Sequence, residues 1–176
     1  MNLINDLKNP NPPEEILCVI EIPKNSSNKY EICHRTGVLF LDRVLYSSIV
    51  YPCDYGFIPQ TLAGDGDPLD CLVITSNKNI PKTAIKVRPI GMLITKDENG
   101  EDEKILAVPV NKIDPRFKHI KDIKDVPEHL LAEIKYFYEH YKDLEPNKWV
   151  KVEKWENVTE AKKQINLALE KFREKY

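Results

Sequence analysis

Six short apolar runs lie between residues 17 and 110 with no stretch of helical period among them, and this spacing restricts the fold more than any other feature. The runs, at 17–22, 30–33, 38–44, 70–75, 85–93 and 103–108, are rich in β-branched and apolar side chains, as strands are. Between them stand turn formers: Asn25-Ser26-Ser27-Asn28, Gly64-Asp65-Gly66-Asp67-Pro68 and Asp97-Glu98-Asn99-Gly100. Strands so close together, with no intervening helix, predict a closed or nearly closed β-barrel.

The period then changes. Asp125, Pro127 and Glu128 have the arrangement of a capping box, with Asp125 as the predicted N-cap. Leu130, Leu131, Ile134, Phe137, Tyr138 and Tyr141 follow at helical spacing. Asn157 opens a second helix with the stripe Ala161, Ile165, Ala168, Leu169 and Phe172, and residues 149–155 read as one more strand. No repeat, low-complexity tract or linker divides the chain, so residues 1–176 are expected to form one α+β domain, mainly β, with two C-terminal helices outside the barrel.

A formal net charge of −2 argues against a basic nucleic-acid binder. No apolar run approaches the roughly 20 residues that cross a bilayer. The first residues lack the basic-then-apolar pattern of a secretory signal, and a cytoplasmic location is expected. Cys18, Cys33, Cys53 and Cys71 include no CxxC pair and sit in or beside strand-like runs. They read as reduced, inert thiols rather than zinc ligands. The segment 114–119 reads as a solvated connection.

The stretch Asp65-Gly66-Asp67-Pro68-Leu69-Asp70 sets three carboxylates in six residues. Such crowding is costly in a poorly solvated place unless cations occupy it. Leu69 and Asp70 do not fit an EF-hand loop. Read alone, the stretch is equally a solvated acidic turn. Asp97, Glu98, Glu101, Asp102 and Glu103 add a second acidic cluster leading to Lys104.

The Asp65–Asp70 pattern resembles the signature of the soluble family I inorganic pyrophosphatases. Further blocks similar to that family stand in its order over nearly the whole chain. They are Val19-Ile20-Glu21-Ile22-Pro23, Lys29-Tyr30-Glu31, Asp42-Arg43, Tyr51-Pro52-Cys53-Asp54-Tyr55-Gly56, the run from Asp97 to Lys104, and His140-Tyr141-Lys142-Asp143-Leu144. The short form is similar to the bacterial enzymes. The resemblance implies a small closed OB-like β-barrel with flanking helices, a homohexamer with His140 at a contact, several Mg²⁺ ions per active site and pyrophosphate as substrate. It implies that Asp65, Asp70 and Asp102 bind the tightest ions, that Asp97 and Glu98 hold further ones, and that Glu21 and Glu31 act directly or through water. Asp67 would be the general base. Lys29, Arg43, Tyr55, Lys104, Tyr141 and Lys142 would hold phosphoryl oxygens.

Each assignment has a plainer alternative. Arg43 reads also as a surface partner of Asp42, Tyr51 and Tyr141 as core rings, and Lys142 as a helix-end cation. Yet the eight candidate carboxylates outnumber the four candidate cations, and a polyanionic substrate would deepen that excess. Divalent cations answer both difficulties of pyrophosphate hydrolysis, the charge of the anion and the weakness of water as a nucleophile. A single-strand-binding barrel using Tyr51, Tyr55 and Phe57 is disfavoured, because its face would repel a phosphate backbone. A nucleotide hydrolase is disfavoured because no Gly-rich phosphate loop is present.

Overall fold

The first strand, β1 (Ile16–Ile22), buries five of its seven side chains, on both of its faces, so it must be covered on both sides. The computed structural model describes residues 2–176. The remaining elements, in order, are β2 (Asn28–Ile32), β3 (Leu39–Val44), β4 (Asp54–Phe57), β5 (Asp70–Val73), β6 (Ala84–Asp97), β7 (Gly100–Pro109), α1 (Glu128–His140), β8 (Val150–Asn157) and α2 (Val158–Lys175). Strands pair in the order β1-β4-β5-β7-β6, and β6 returns to β1, closing a ring of five. The ring answers the expectation of an OB-like closed barrel with outer helices. β8 joins the outer edge of β6, while β2 and β3 form a separate two-stranded ribbon.

Alternation along β5 and β7 divides neighbouring side chains between two hydrophobic clusters, each completed by one helix. Cys71, Val73, Ile105 and Ala107 pack with Ala161, Ile165, Ala168 and Leu169 of α2. Leu72, Ile74, Leu106 and Val108 pack with Ile134, Phe137 and Tyr138 of α1. Gly56 is required where β4 crosses β1, since a Cβ there would lie 1.8 Å from the Val19 carbonyl oxygen.

Several local expectations are corrected. β4 was not among the expected strands, because four residues including a glycine carry too little apolar pattern. Asp125 does not cap α1. It closes the capping box of a 3₁₀ turn at Ile123–Asp125, and Pro127 occupies the N-cap of α1 without a side-chain cap. Val126 precedes proline and is extended, which separates the two elements. The segment 114–119 is more than a solvated link. Asp114 is buried and caps a 3₁₀ turn at Pro115–Phe117, and Arg88 donates to the Phe117 and Ile120 carbonyls. Cys18, Cys53 and Cys71 are buried thiols, but Cys33 is half-buried at the ribbon turn, and hydrogen bonds from Thr36 lower its pKa.

Candidate active site

Asp70 stands where β5 begins, paired in parallel register with Lys104 of β7. The Lys104 ammonium donates to Asp70 at 2.6 Å and to Asp102 at 2.8 Å. Residues two apart on one strand share a face, which brings Asp102 to the same ammonium. The rings of Tyr55 and Tyr138 lie 5.8 and 5.3 Å from that nitrogen. Burial, and then the neighbouring Asp102 carboxylate, push the Asp70 carboxyl above its ordinary value, while Lys104 and Tyr55 pull the other way. Burial works against the Lys104 charge too, but the two carboxylates hold its pKa well above the usual value.

In front of this pair opens a cavity of about 450 Å³ whose walls include Glu21, Lys29, Glu31, Tyr55, Asp67 and Asp70. Glu21 comes from β1 and accepts the Ile32 amide at 2.7 Å. Burial pushes its carboxyl up to about 7. Lys29 and Glu31 of β2 form an ion pair, and Lys29 also reaches Asp42 at 3.3 Å. Asp65 turns inward on its own loop, accepting the Asp67 amide at 3.0 Å, with Gly66 at φ +94° making the turn. Asp67 lies on the cavity wall, and partial burial followed by the charge of Asp65 pushes its carboxyl upward.

A second cluster stands where β6 turns into β7. Lys142 donates to Asp97 at 3.0 Å, and Lys148 donates to Glu98 at 2.6 Å. Burial pushes the Glu98 carboxyl up, but Lys148, a backbone amide and Lys142 bring it down to about 2. α1 stops at His140 with Tyr141 as its C-cap, so Lys142 lies in the following turn rather than on the helix. Its nitrogen stands 5.5 Å from the Tyr141 ring. Tyr141 packs on Phe137 and Tyr138, and Tyr51 packs on Tyr55 and Phe137, so these rings join the two clusters.

The cavity thus gathers Glu21, Lys29, Glu31, Tyr55, Asp67 and Asp70, with Asp102 and Lys104 joined through Asp70. Arg43 adjoins it through Asp42. Asp65, Asp97, Glu98, Tyr141 and Lys142 lie outside its walls. Among the described residues, no three His, Cys, Asp or Glu side chains form a metal cage. Lysines stand between the carboxylates instead: Lys104 separates Asp70 from Asp102, and Lys142 and Lys148 occupy Asp97 and Glu98. The donor set is nonetheless all hard oxygen, which suits a magnesium-like cation, and the buried Glu98 Oε2 has no hydrogen-bond partner. The residues fit such an ion.

Two residues around the site are not marked by the sequence as belonging to it. Glu145 is buried and accepts from Arg43 Nε at 2.8 Å. Tyr138, part of the α1 stripe, places its ring over Lys104. A glutamate in a polar loop looks like solvated surface, and only the tertiary contact distinguishes it.

A family model described as inorganic pyrophosphatase matches residues 18–173. The inorganic pyrophosphatase of Saccharolobus solfataricus is 54% identical over 159 residues, covering 90% of this chain and 92% of its own length. That of Escherichia coli K12 is 48% identical over 176 residues, covering 99% and 100%. The crystal structure of the inorganic pyrophosphatase from Thermus thermophilus superposes with a TM-score of 0.95 at 42% identity, covering 98% of this chain and 99% of that one.

Proposed function

The chain belongs to the inorganic pyrophosphatase family and is an inorganic diphosphatase, and on that premise we propose that it hydrolyses pyrophosphate with Mg²⁺ as cofactor and Asp67 as general base. The observation that carries this reading is the alternation of charge around one cavity. Asp70, Lys104 and Asp102 stand at its back, Lys29 and Glu31 form a pair on its wall, and Asp67 has no ion pair among the described residues.

Asp65, Asp70 and Asp102 would hold the tightest ions, Asp97 and Glu98 further ones, with Glu21 and Glu31 acting directly or through water. Magnesium, when bound, neutralises phosphoryl charge and lowers the pKa of water at the site. Lys29, Arg43 and Lys104, with Tyr55, Tyr141 and Lys142, donate to phosphoryl oxygens and fix the anion. Asp67 takes the proton of the attacking water. The water oxygen bonds to phosphorus as the bond to the bridging oxygen breaks, and two phosphates result.

The proposal extends to one catalytic domain over residues 1–176, located in the cytoplasm and assembled as a homohexamer. No described helix is long and apolar enough to cross a membrane. Val38, Leu41 and Val44 expose apolar surface on and beside the β2–β3 ribbon, which supports self-association. Phosphate release tests the activity directly. Release from pyrophosphate is expected with Mg²⁺ and not with EDTA, and little is expected from ATP. Equal release from ATP, or none from either substrate, would overturn the proposal.

A further inference from the structure

Arg43 is held at two of its three guanidinium nitrogens. Nε donates to Glu145 at 2.8 Å, and Nη1 donates to Asp42. Nη2 makes no protein hydrogen bond among the described residues. A planar guanidinium fixed at two points cannot rotate about its own axis, so the direction of the third nitrogen is set.

Glu145 lies 102 residues along the chain from Arg43, in the turn that follows α1. Its side chain is 8% exposed, and Arg43 is its ion-pair partner. Glutamate is seldom buried unless it is paired, and a pair broken by removing one partner leaves an uncompensated charge. The Glu145 amide donates to the Lys142 carbonyl at 2.9 Å, so the same turn carries Tyr141 and Lys142. On the other side, Arg43 belongs to the β2–β3 ribbon, which shares no ladder with the six-stranded sheet. No strand ladder therefore registers Arg43 against Lys142, whereas the Glu145 contact links them directly.

We infer that Glu145 is a positioning residue for substrate binding: it orients the Arg43 guanidinium and ties the ribbon to the turn bearing Tyr141 and Lys142. This role presupposes Arg43 as a phosphoryl ligand, as proposed above. Glu145 itself touches no substrate.

The test is steady-state kinetics on the full chain with magnesium pyrophosphate, with melting temperatures measured alongside. Glu145→Ala is expected to raise KM about tenfold with kcat changed much less, the size expected when one charge-assisted hydrogen bond is lost. Glu145→Gln keeps an acceptor for Nε without the charge, and is expected to raise KM about threefold. In an Arg43→Ala background neither change raises KM further, because the group they orient is gone. A role in stability alone would lower the melting temperature and leave KM unmoved, or would multiply with Arg43→Ala; either result overturns the inference. If Arg43→Ala leaves KM unchanged, Arg43 is not a ligand and the inference falls with that reading. If Arg43→Ala raises KM while both Glu145 variants match the parent, only the positioning role is lost. Should Glu145→Ala fail to fold, Glu145→Gln in the two backgrounds decides alone.

Discussion

Lys104 and Asp70 are direct partners across the parallel β5–β7 pair, and the ammonium of one lies 2.6 Å from the carboxylate of the other. The Lys104 side chain is only 5% exposed, so its charge is tolerable because Asp70 and Asp102 surround it. The converse also holds, since both carboxylates lean on one cation. Lys104→Met is expected to lower stability by about 2 kcal/mol in EDTA, below the fully buried range because the aspartates are partly exposed. Millimolar Mg²⁺ is expected to recover much of that loss by supplying the missing positive charge. Urea unfolding with and without the cation measures both quantities. An equal loss in the two conditions would mean that these aspartates do not serve a cation.

Asp67→Asn preserves shape and removes the basic lone pair. If Asp67 is the proton acceptor, kcat is expected to fall by roughly 10²–10⁴, the usual contribution of a positioned base. Mg²⁺ affinity and KM should change far less, because Asp67 takes no part in the ion pairs that join Asp70, Lys104 and Asp102. Comparable losses in binding and turnover would make Asp67 a ligand and leave the base unassigned.

The sequence disclosed these features unevenly, for physical reasons. β1, β5 and the second half of β7 announce themselves because both faces are buried, giving nearly continuous apolar runs. The Asp65–Asp70 turn is legible in its Gly-Asp-Pro chemistry, and Gly66 does adopt positive φ. Which carboxylates meet is not legible from spacing. Asp70 and Lys104 are 34 residues apart and are joined only by strand register. The resemblance pointed to both of them, but not to the contact that relates them. Glu145 escaped both routes, since the matched block ended at Leu144 and a loop glutamate has no periodicity to betray burial. The start of α1 misled because two consecutive turns compete for the same acidic residues, and Asp125 serves the earlier one.

Asp114 offers a pH test away from the site. The Ser76 hydroxyl, followed by the Arg116 amide and side chain, holds its carboxyl below the ordinary value. A group with a depressed folded pKa stabilises the fold above its unfolded value, about 3.9, and that contribution disappears as pH falls through the folded value. Asp114→Asn is therefore expected to be less stable than the parent at pH 7, with the difference closing below about pH 4. Thermal melts across pH 3–7 follow it. A gap independent of pH would show that the cap works without its charge.

Tyr138 is 2% exposed, and its hydroxyl has no protein hydrogen-bond partner among the described residues. Its ring fills space between Phe137 and Tyr141 and covers the Lys104 ammonium. Removing the oxygen alone keeps the packing and the ring face while deleting a desolvated polar group, which costs about 1–3 kcal/mol when left unpaired. Tyr138→Phe is thus expected to be as stable as the parent or more so, by up to about 1–2 kcal/mol, with activity kept. Tyr138→Ala should lose about 3–5 kcal/mol through the cavity it opens. A Phe variant that lost stability or turnover would mean that the hydroxyl has a working partner, with Lys104 and its carboxylates the nearest charged neighbours of the ring.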